Sequence, residues 1–269
     1  MSDPSPRVFL VTGAASGIGV AIARQLVARG DHVVLADIAA EAARAAAAAL
    51  GPRAFAQALD ITSPAQWQAA LQATVQRFGR LDVLINNAAI VEPGFARDVA
   101  IPRHQRTMDT NFMGPLTGTL AALELFRAQG HGHIATVCSM TAFLPFPGLA
   151  SYAAAKHALR AFHHAVAVEE RATPVHFTIV HPTATETPML DQEAADDACA
   201  FAFSAPAVTA DVVAQVVLQA IADKALEVYM PPDRAQSIMA LGADPARLHA
   251  IYDRAEAAGR AAQANRRGG

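Results

Sequence analysis

Short apolar runs alternate with stretches of helical periodicity along most of this chain. Residues 7–13, RVFLVTG, form an apolar, β-branched run closed by glycine, which predicts a buried strand and a turn. Residues 17–30, GIGVAIARQLVARG, repeat apolar positions at helical spacing and end on Gly30, a C-terminal stop. A second strand, HVVLAD (32–37), precedes an alanine-rich helix that closes on Gly51. RAFAQALD (53–60) reads as strand three. Ser63 and Pro64 then open a helix as N-cap and first-turn residue. RLDVLINNA (80–88), GHIATVCS (132–139) and VHFTIVHP (175–182) supply strands four to six. A helical region from about 103 to 129 and a helix around SYAAAKHAL (151–159) separate them.

Beyond Pro182 the regularity weakens. Residues 183–206 mix acids, alanines and two phenylalanines, and are expected to form a mobile lid over about 183–208. A helix capped by Thr209, a short strand in ALEVYMP (225–231) and a helical extension over about 233–265, fraying afterwards, complete the pattern. The strands are apolar on both faces and alternate with helices. That predicts an α/β architecture: a doubly wound, Rossmann-type parallel sheet with helices on both faces. No linker-like break or repeat interrupts it, so one domain over 1–269 is expected, with the cofactor-binding part at about 7–182.

Composition narrows the function. Hydrophobic residues make up 53% and charged residues 17% of 269, which excludes a disordered chain. A net charge of −3 favours neither nucleic acid nor an anionic membrane. The two cysteines imply no disulfide framework, and MSDPSPR lacks the regions of a signal peptide. No apolar run is long enough to cross a bilayer. A cytoplasmic location is therefore expected. The ten histidines lack ligand spacing: HGH at 131–133 reads as a turn, and His163 and His164 face different sides of a helix. No metal site is expected.

TGAASGIG, Thr12 to Gly19, lies directly between a predicted strand and helix. Glycines there let the backbone turn sharply and approach a pyrophosphate, which meets the helix N–H groups and the positive end of the dipole. Asp37 ends the next strand, where a carboxylate accepts bonds from adenosine ribose hydroxyls and repels a 2′-phosphate. The loop before Gly17 holds no Arg or Lys, so NAD is favoured over NADP. Tyr152 and Lys156 sit four apart on one helix and share a face. The bland reading is a packed ring and a solvated cation. The chemical reading is an ammonium that lowers the phenol's pKa towards a usable base.

These residues together resemble the short-chain dehydrogenase/reductase family in its compact, single-domain form, from about residue 7 to 190. Thr12, Gly13, Gly17 and Gly19 meet its TGxxxGxG pattern. Asn86, Asn87 and Ala88 meet an NNAG-like segment, with Ala89 where glycine is usual. Asn111 meets the helix asparagine, Ser139 the serine thirteen residues before the tyrosine, and Tyr152 with Lys156 the YxxxK pair. Pro182, Thr187, Pro188 and Met189 keep the PGxxxTPM pattern, with Thr183 where glycine is common.

The resemblance implies a hydride transfer between NAD(H) and a secondary alcohol or ketone, catalysed by Asn111, Ser139, Tyr152 and Lys156. Tyr152 is implied as acid/base, Ser139 as holder of the substrate oxygen, Lys156 also as a ligand of the nicotinamide ribose, and Asn111 as the anchor of a water relay. It implies cofactor contacts from Gly13, Ser16, Gly17, Ile18, Gly19, Asp37 and Ile38, from Asp60 and Ile61 beside adenine, from Asn87 and Ala88 beside ribose, and from Pro182, Thr185 and Thr187. Members usually form homodimers or homotetramers. Phe143, Phe146, Phe201 and Phe203 are candidates for an apolar substrate pocket. Two other readings stand beside this one: an NADP-dependent carbonyl reductase, and a non-catalytic NAD-binding regulator.

Overall fold

The computed structural model describes residues 6–268. The chain runs β1 (Val8–Thr12), α1 (Gly17–Ala28), β2 (His32–Asp37), α2 (Ala40–Leu50), β3 (Ala54–Ala58), α3 (Pro64–Phe78) and β4 (Val83–Asn86). It continues through α4 (Ile101–Met108), α5 (Gly114–Gln129), β5 (Gly132–Val137), α6 (Ala150–Glu169), β6 (Val175–His181), β7 (Thr185–Glu186) and α7 (Pro188–Ala194). It ends with β8 (Val208–Thr209), α8 (Ala210–Ala222), β9 (Glu227–Tyr229), α9 (Ala235–Gly242) and α10 (Pro245–Gly268).

Seven strands form one parallel sheet in the order β3-β2-β1-β4-β5-β6-β9. The chain leaves β1 towards β2 and β3, then crosses back to place β4 on the other side of β1. The strand order therefore reverses at β1 and β4, and the crevice outside their carboxyl ends is where such sheets take ligands. Along β1 the side chains alternate. Phe9 and Val11 pack with α1 and α8, whereas Val8 and Leu10 pack on the opposite face with Trp67 of α3 and Phe126 of α5. Both faces are buried, which explains why the strands carry continuous apolar runs.

The expected helix over about 103–129 is interrupted. Residues Asp109–Met113 widen into a π-helical turn between α4 and α5, and Asn111 sits in it with no solvent exposure. Two local causes are visible. Pro115 in the first turn of α5 has no N–H to donate, and Gly114 lets the backbone pass close to Ile61, where a Cβ would meet Ile61 Cδ1 at 2.7 Å. The HGH segment also differs from its expected turn. Gly132 and His133 belong to β5, where His133 pairs with Thr178 of β6 at 2.8 Å.

Residues 183–208 fold into β7, α7 and a 3-10 turn at Asp197–Phe203 that buries Cys199, Ala200, Phe201 and Ala202. α10 packs over them. Gln263 Nε2 donates to the carbonyls of Glu193 at 3.2 Å and Asp196 at 2.7 Å, and Arg266 pairs with Glu186 and Asp191. Gly259 touches Ala200 so closely that a Cβ would lie 2.0 Å from its carbonyl oxygen. The anchoring by Arg266 and Arg267 near the C-terminal, negative end of α10 explains why this helix runs through 268 instead of fraying. Among the described residues no helix is long and apolar enough to cross a membrane, and no group of three His, Cys, Asp or Glu could hold a metal. Residues 1–5, on which the reading of the N-terminus rests, lie outside the described part.

Candidate active site

The glycine turn follows β1 and opens α1. Gly13 and Gly17 adopt φ values of 63° and 53°, and a Cβ on Gly19 would lie 2.2 Å from the Gly13 carbonyl oxygen. Only glycines allow this geometry. Ser16 caps α1 in an extended conformation without a side-chain bond to the helix. The first turn contains no acidic residue, so its N–H groups face an approaching anion unopposed. That donor set fits a pyrophosphate.

The end of β4 braces the turn. Thr12 Oγ1 accepts from the backbone N–H of Asn87 and of Ala88, both at 3.0 Å. Asn87 Nδ2 donates to the Thr12 carbonyl at 2.8 Å. Asp37 accepts from Ala15 N–H with one carboxylate oxygen and from Ala39 N–H with the other. It makes no ion pair among the described residues, and each oxygen keeps a lone pair for a ribose hydroxyl. Beside it Ile38 is 73% exposed, an apolar surface of the kind an adenine ring covers. Asp60 is held by Thr62, whereas Ile61 turns into the core and packs against Trp67 and Gly114.

A cavity of about 370 Å³ opens beside this turn. Ile18, Asn87, Pro182, Thr185 and Thr187 border it, and so do Ser139, Tyr152 and Lys156. Ser139 ends the run that contains β5 and accepts from Thr141 N–H at 3.1 Å. Tyr152 and Lys156 project from the first turns of α6, and the Lys156 ammonium lies 5.5 Å from the Tyr152 ring centroid. Lys156 is 2% exposed and donates to the Val137 carbonyl at 3.3 Å. Asn111 stands apart from the cavity lining. Its Nδ2 donates to the Ile90 carbonyl and its Oδ1 accepts from Ile90 N–H, each at 2.8 Å, so its side chain clamps the strand-four loop.

Electrostatics in this pocket are dominated by burial. The Tyr152 phenol is held well above its ordinary value, first by burial and then by the Glu193 carboxyl; hydrogen bonding from Ser139 pulls the other way. Burial likewise lowers Lys156 from the usual lysine range. The phenol is thus raised by the protein where the Tyr152–Lys156 spacing predicts a depression.

Of the four phenylalanines expected near a pocket, Phe146 and Phe201 line this cavity, with their rings 5.0 Å apart. Phe143 instead packs under Arg160 and against His181, and Phe203 borders a second cavity. Two further groups escaped the sequence reading. Glu193 lines the cavity from α7; its spacing with Leu190 and Ala194 on one buried helical face was the available signal. His181, fully buried at the end of β6, bonds the Ser139 carbonyl at 3.0 Å and Glu227 at 2.8 Å. Glu227 belongs to β9, and nothing in the local pattern links the two.

The family pattern described as short chain dehydrogenase matches residues 7–198. This chain belongs to the short-chain dehydrogenase/reductase family. The curated 3-alpha-(or 20-beta)-hydroxysteroid dehydrogenase of Mycobacterium tuberculosis is 36% identical over 185 residues, 69% of this chain and 71% of that protein. The trans-4-hydroxycyclohexanecarboxylate dehydrogenase of Sinomonas cyclohexanicum is 34% identical over 68% of this chain and 74% of its own length. Among solved structures, a short-chain dehydrogenase/reductase from Burkholderia phymatum in complex with NAD superposes with a TM-score of 0.82 at 24% identity, covering 88% of this chain and 93% of its own. Levodione reductase superposes at 0.77 with 27% identity, over 86% of this chain and 98% of its own. As a short-chain dehydrogenase/reductase, the chain has dehydrogenases as relatives, which supports an oxidoreductase built on the parallel sheet described above.

Proposed function

We propose that this chain is an NAD-dependent dehydrogenase or ketone reductase that acts on a secondary alcohol or ketone, with residues 1–269 as one domain and residues 183–208 as the wall over the substrate. The observation that carries the reading is the meeting of Ser139, Tyr152 and Lys156 on one cavity that also touches the first turn of α1 through Ile18. A proton-transfer group, an oxygen-holding hydroxyl and a dinucleotide cradle serve hydride transfer together. A binding protein without chemistry has no use for the first two.

The glycine turn and Asp37 would hold the pyrophosphate and adenosine ribose of NAD, and Lys156 would reach the second ribose. NAD supplies the hydride chemistry when bound. Ser139 holds the substrate oxygen towards Tyr152. In the reducing direction the neutral phenol of Tyr152 donates its proton to the carbonyl oxygen. In the oxidising direction the phenolate accepts the alcohol proton. The raised phenol favours the donor role at neutral pH, and alcohol oxidation calls for alkaline conditions. Asn111 shapes the site from behind by fixing Ile90.

The cavity lining is apolar over most of its length, with Leu144, Leu149, Met189 and Ile251 among its side chains. Relatives named for a hydroxysteroid and a hydroxycyclohexanecarboxylate point the same way, to an alicyclic alcohol. By family resemblance the chain assembles as a homodimer or homotetramer, and its two unpaired cysteines fit a cytoplasmic location. The deciding experiment is oxidation of a panel of alicyclic and aromatic secondary alcohols by the purified chain, with NAD and NADP compared in parallel. Turnover that prefers NAD supports the reading. Preference for NADP points to the carbonyl reductase alternative. NADH binding without turnover of any alcohol points to the regulator.

A further inference from the structure

Glu193 is 9% exposed, and it borders the cavity that holds Ser139 and Tyr152. Its carboxyl makes no hydrogen bond or ion pair among the described residues. Buried carboxyls in folded proteins are normally paired or multiply hydrogen-bonded. This one is not idle at a distance from the chemistry, because its charge is felt at Tyr152. Burial alone pushes it up to about 7. Neither Lys156 nor Arg234, the two cations bordering the cavity, offsets that burial, and Arg234 is exposed.

The backbone fixes the direction of this side chain. The Glu193 carbonyl is held by Gln263 of α10, and Leu190 and Ala194, which share its helical face, are buried beside it. The same lining carries the apolar side chains of Met189, Leu190, Phe201 and Ala202. A lone acceptor in such a wall has one unmet need: a hydrogen-bond donor brought in by the occupant of the cavity.

We propose that Glu193 is a specificity-determining residue that receives a second donor group of the substrate, a hydroxyl or an ammonium remote from the reacting carbinol, so that the preferred substrates are alicyclic diols or amino alcohols. The proposal rests on the reading of the cavity as the site of alcohol oxidation. The same carboxyl disfavours a substrate that carries a carboxylate at that position, since two anions would share a poorly solvated space.

The test uses four probes of one ring size: cyclohexanol, trans-1,4-cyclohexanediol, trans-4-aminocyclohexanol and trans-4-hydroxycyclohexanecarboxylate. Their kcat/KM with NAD is measured for the wild type and for Glu193→Gln, and their affinity is measured by calorimetry on the same proteins. A bond from a donor to a buried carboxylate is expected to favour the diol or the amino alcohol over cyclohexanol by about tenfold, through KM, with the hydroxy acid last. In Glu193→Gln the advantage of the amino alcohol over cyclohexanol falls by about tenfold and the hydroxy acid gains on the others. Turnover of all four at similar efficiency in both proteins overturns the proposal and leaves the dehydrogenase reading standing. A Glu193-dependent order of affinities without any turnover supports the proposal and overturns the dehydrogenase reading. No binding and no turnover of any probe overturns both.

Discussion

His181 places one ring nitrogen 3.0 Å from the carbonyl oxygen of Ser139 and the other 2.8 Å from the carboxylate of Glu227. It thereby ties the residue expected to hold the substrate oxygen to the last strand of the sheet. Arg160 adds a two-pronged contact to the same carboxylate, and Tyr229 donates to it at 2.7 Å. Burial alone would lower His181, but its bonds to Cys138, Glu227 and the Ser139 carbonyl prevail and raise it to about 9. A histidine whose folded value is raised stabilises fully below its unfolded value near 6.5, and that share is lost as pH climbs through about 9. The contribution is on the order of 3 kcal/mol. Thermal melts of wild type and Glu227→Gln should differ most near pH 6.5 and converge towards pH 9.5. A constant difference across that range would remove the ion pair from the stability account.

The opposite limb has another source. Burial holds His133 and His163 down to about 3, and neighbouring histidines add to the effect. Both remain neutral in the fold and gain protons on unfolding below about 6.5, so stability falls as pH drops from there. Each contributes roughly 1.4 kcal/mol per pH unit. Glu193, raised to about 7, works in the other direction between its two values and offsets one of them. His163→Leu should flatten the acid slope of the melting temperature between pH 6.5 and 5. An unchanged slope would show that His163 is protonated in the native state.

Tyr152→Phe keeps the ring packed against the cluster of Val91, Leu149, Cys199 and Ala202 and removes only the hydroxyl. Turnover should fall by about 10²- to 10⁴-fold, the usual worth of a placed proton-transfer group. NADH binding, followed by fluorescence, should survive. Retention of most turnover would assign the proton to another group.

Asp37→Ala removes the acceptors proposed for the ribose and also the partner of Ala15 N–H. The efficiency ratio of NAD to NADP should fall by about tenfold, the worth of one charge-assisted bond, with part of the loss falling on both cofactors as the turn loosens. An equal loss for both would mean that Asp37 supports the turn and reads nothing.

Gly259→Ala would press a methyl into the Ala200 carbonyl, where the available separation is 2.0 Å. Displacement of α10 should cost about 1–3 kcal/mol by overpacking and loosen residues 188–203. Proteolysis of that stretch should accelerate and the KM for alcohols should rise more than kcat falls. An unaltered KM would uncouple α10 from the substrate wall.

Much of this was legible beforehand for physical reasons that differ from place to place. β1, α1 and β2 followed from apolar runs and glycine stops because their pattern is local. Ser63 and Thr209 cap their helices as their positions require, since capping is decided within four residues. The pairing of Tyr152 with Lys156 follows from their spacing on one helix, and Ser139 joins them by family resemblance; the end of β5 and the start of α6 bring the three to one cavity. The π-turn around Asn111 was not, because it depends on the fit of Gly114 against Ile61, about fifty positions away. The raised phenol of Tyr152 was missed because burial is a property of the assembled pocket. The packing of residues 183–208 was missed because Gln263 and the arginines of α10 seize backbone carbonyls and acids that no periodicity marks.

The amide of Gln263 governs a wall of the reaction chamber from seventy positions downstream. Under the proposed function, the proton-handling residues and part of the wall facing the substrate therefore sit on separable stretches of chain. Exchanging 245–268 between relatives, as a cassette, would retune which alcohol is admitted while the groups that handle its proton stay where they are.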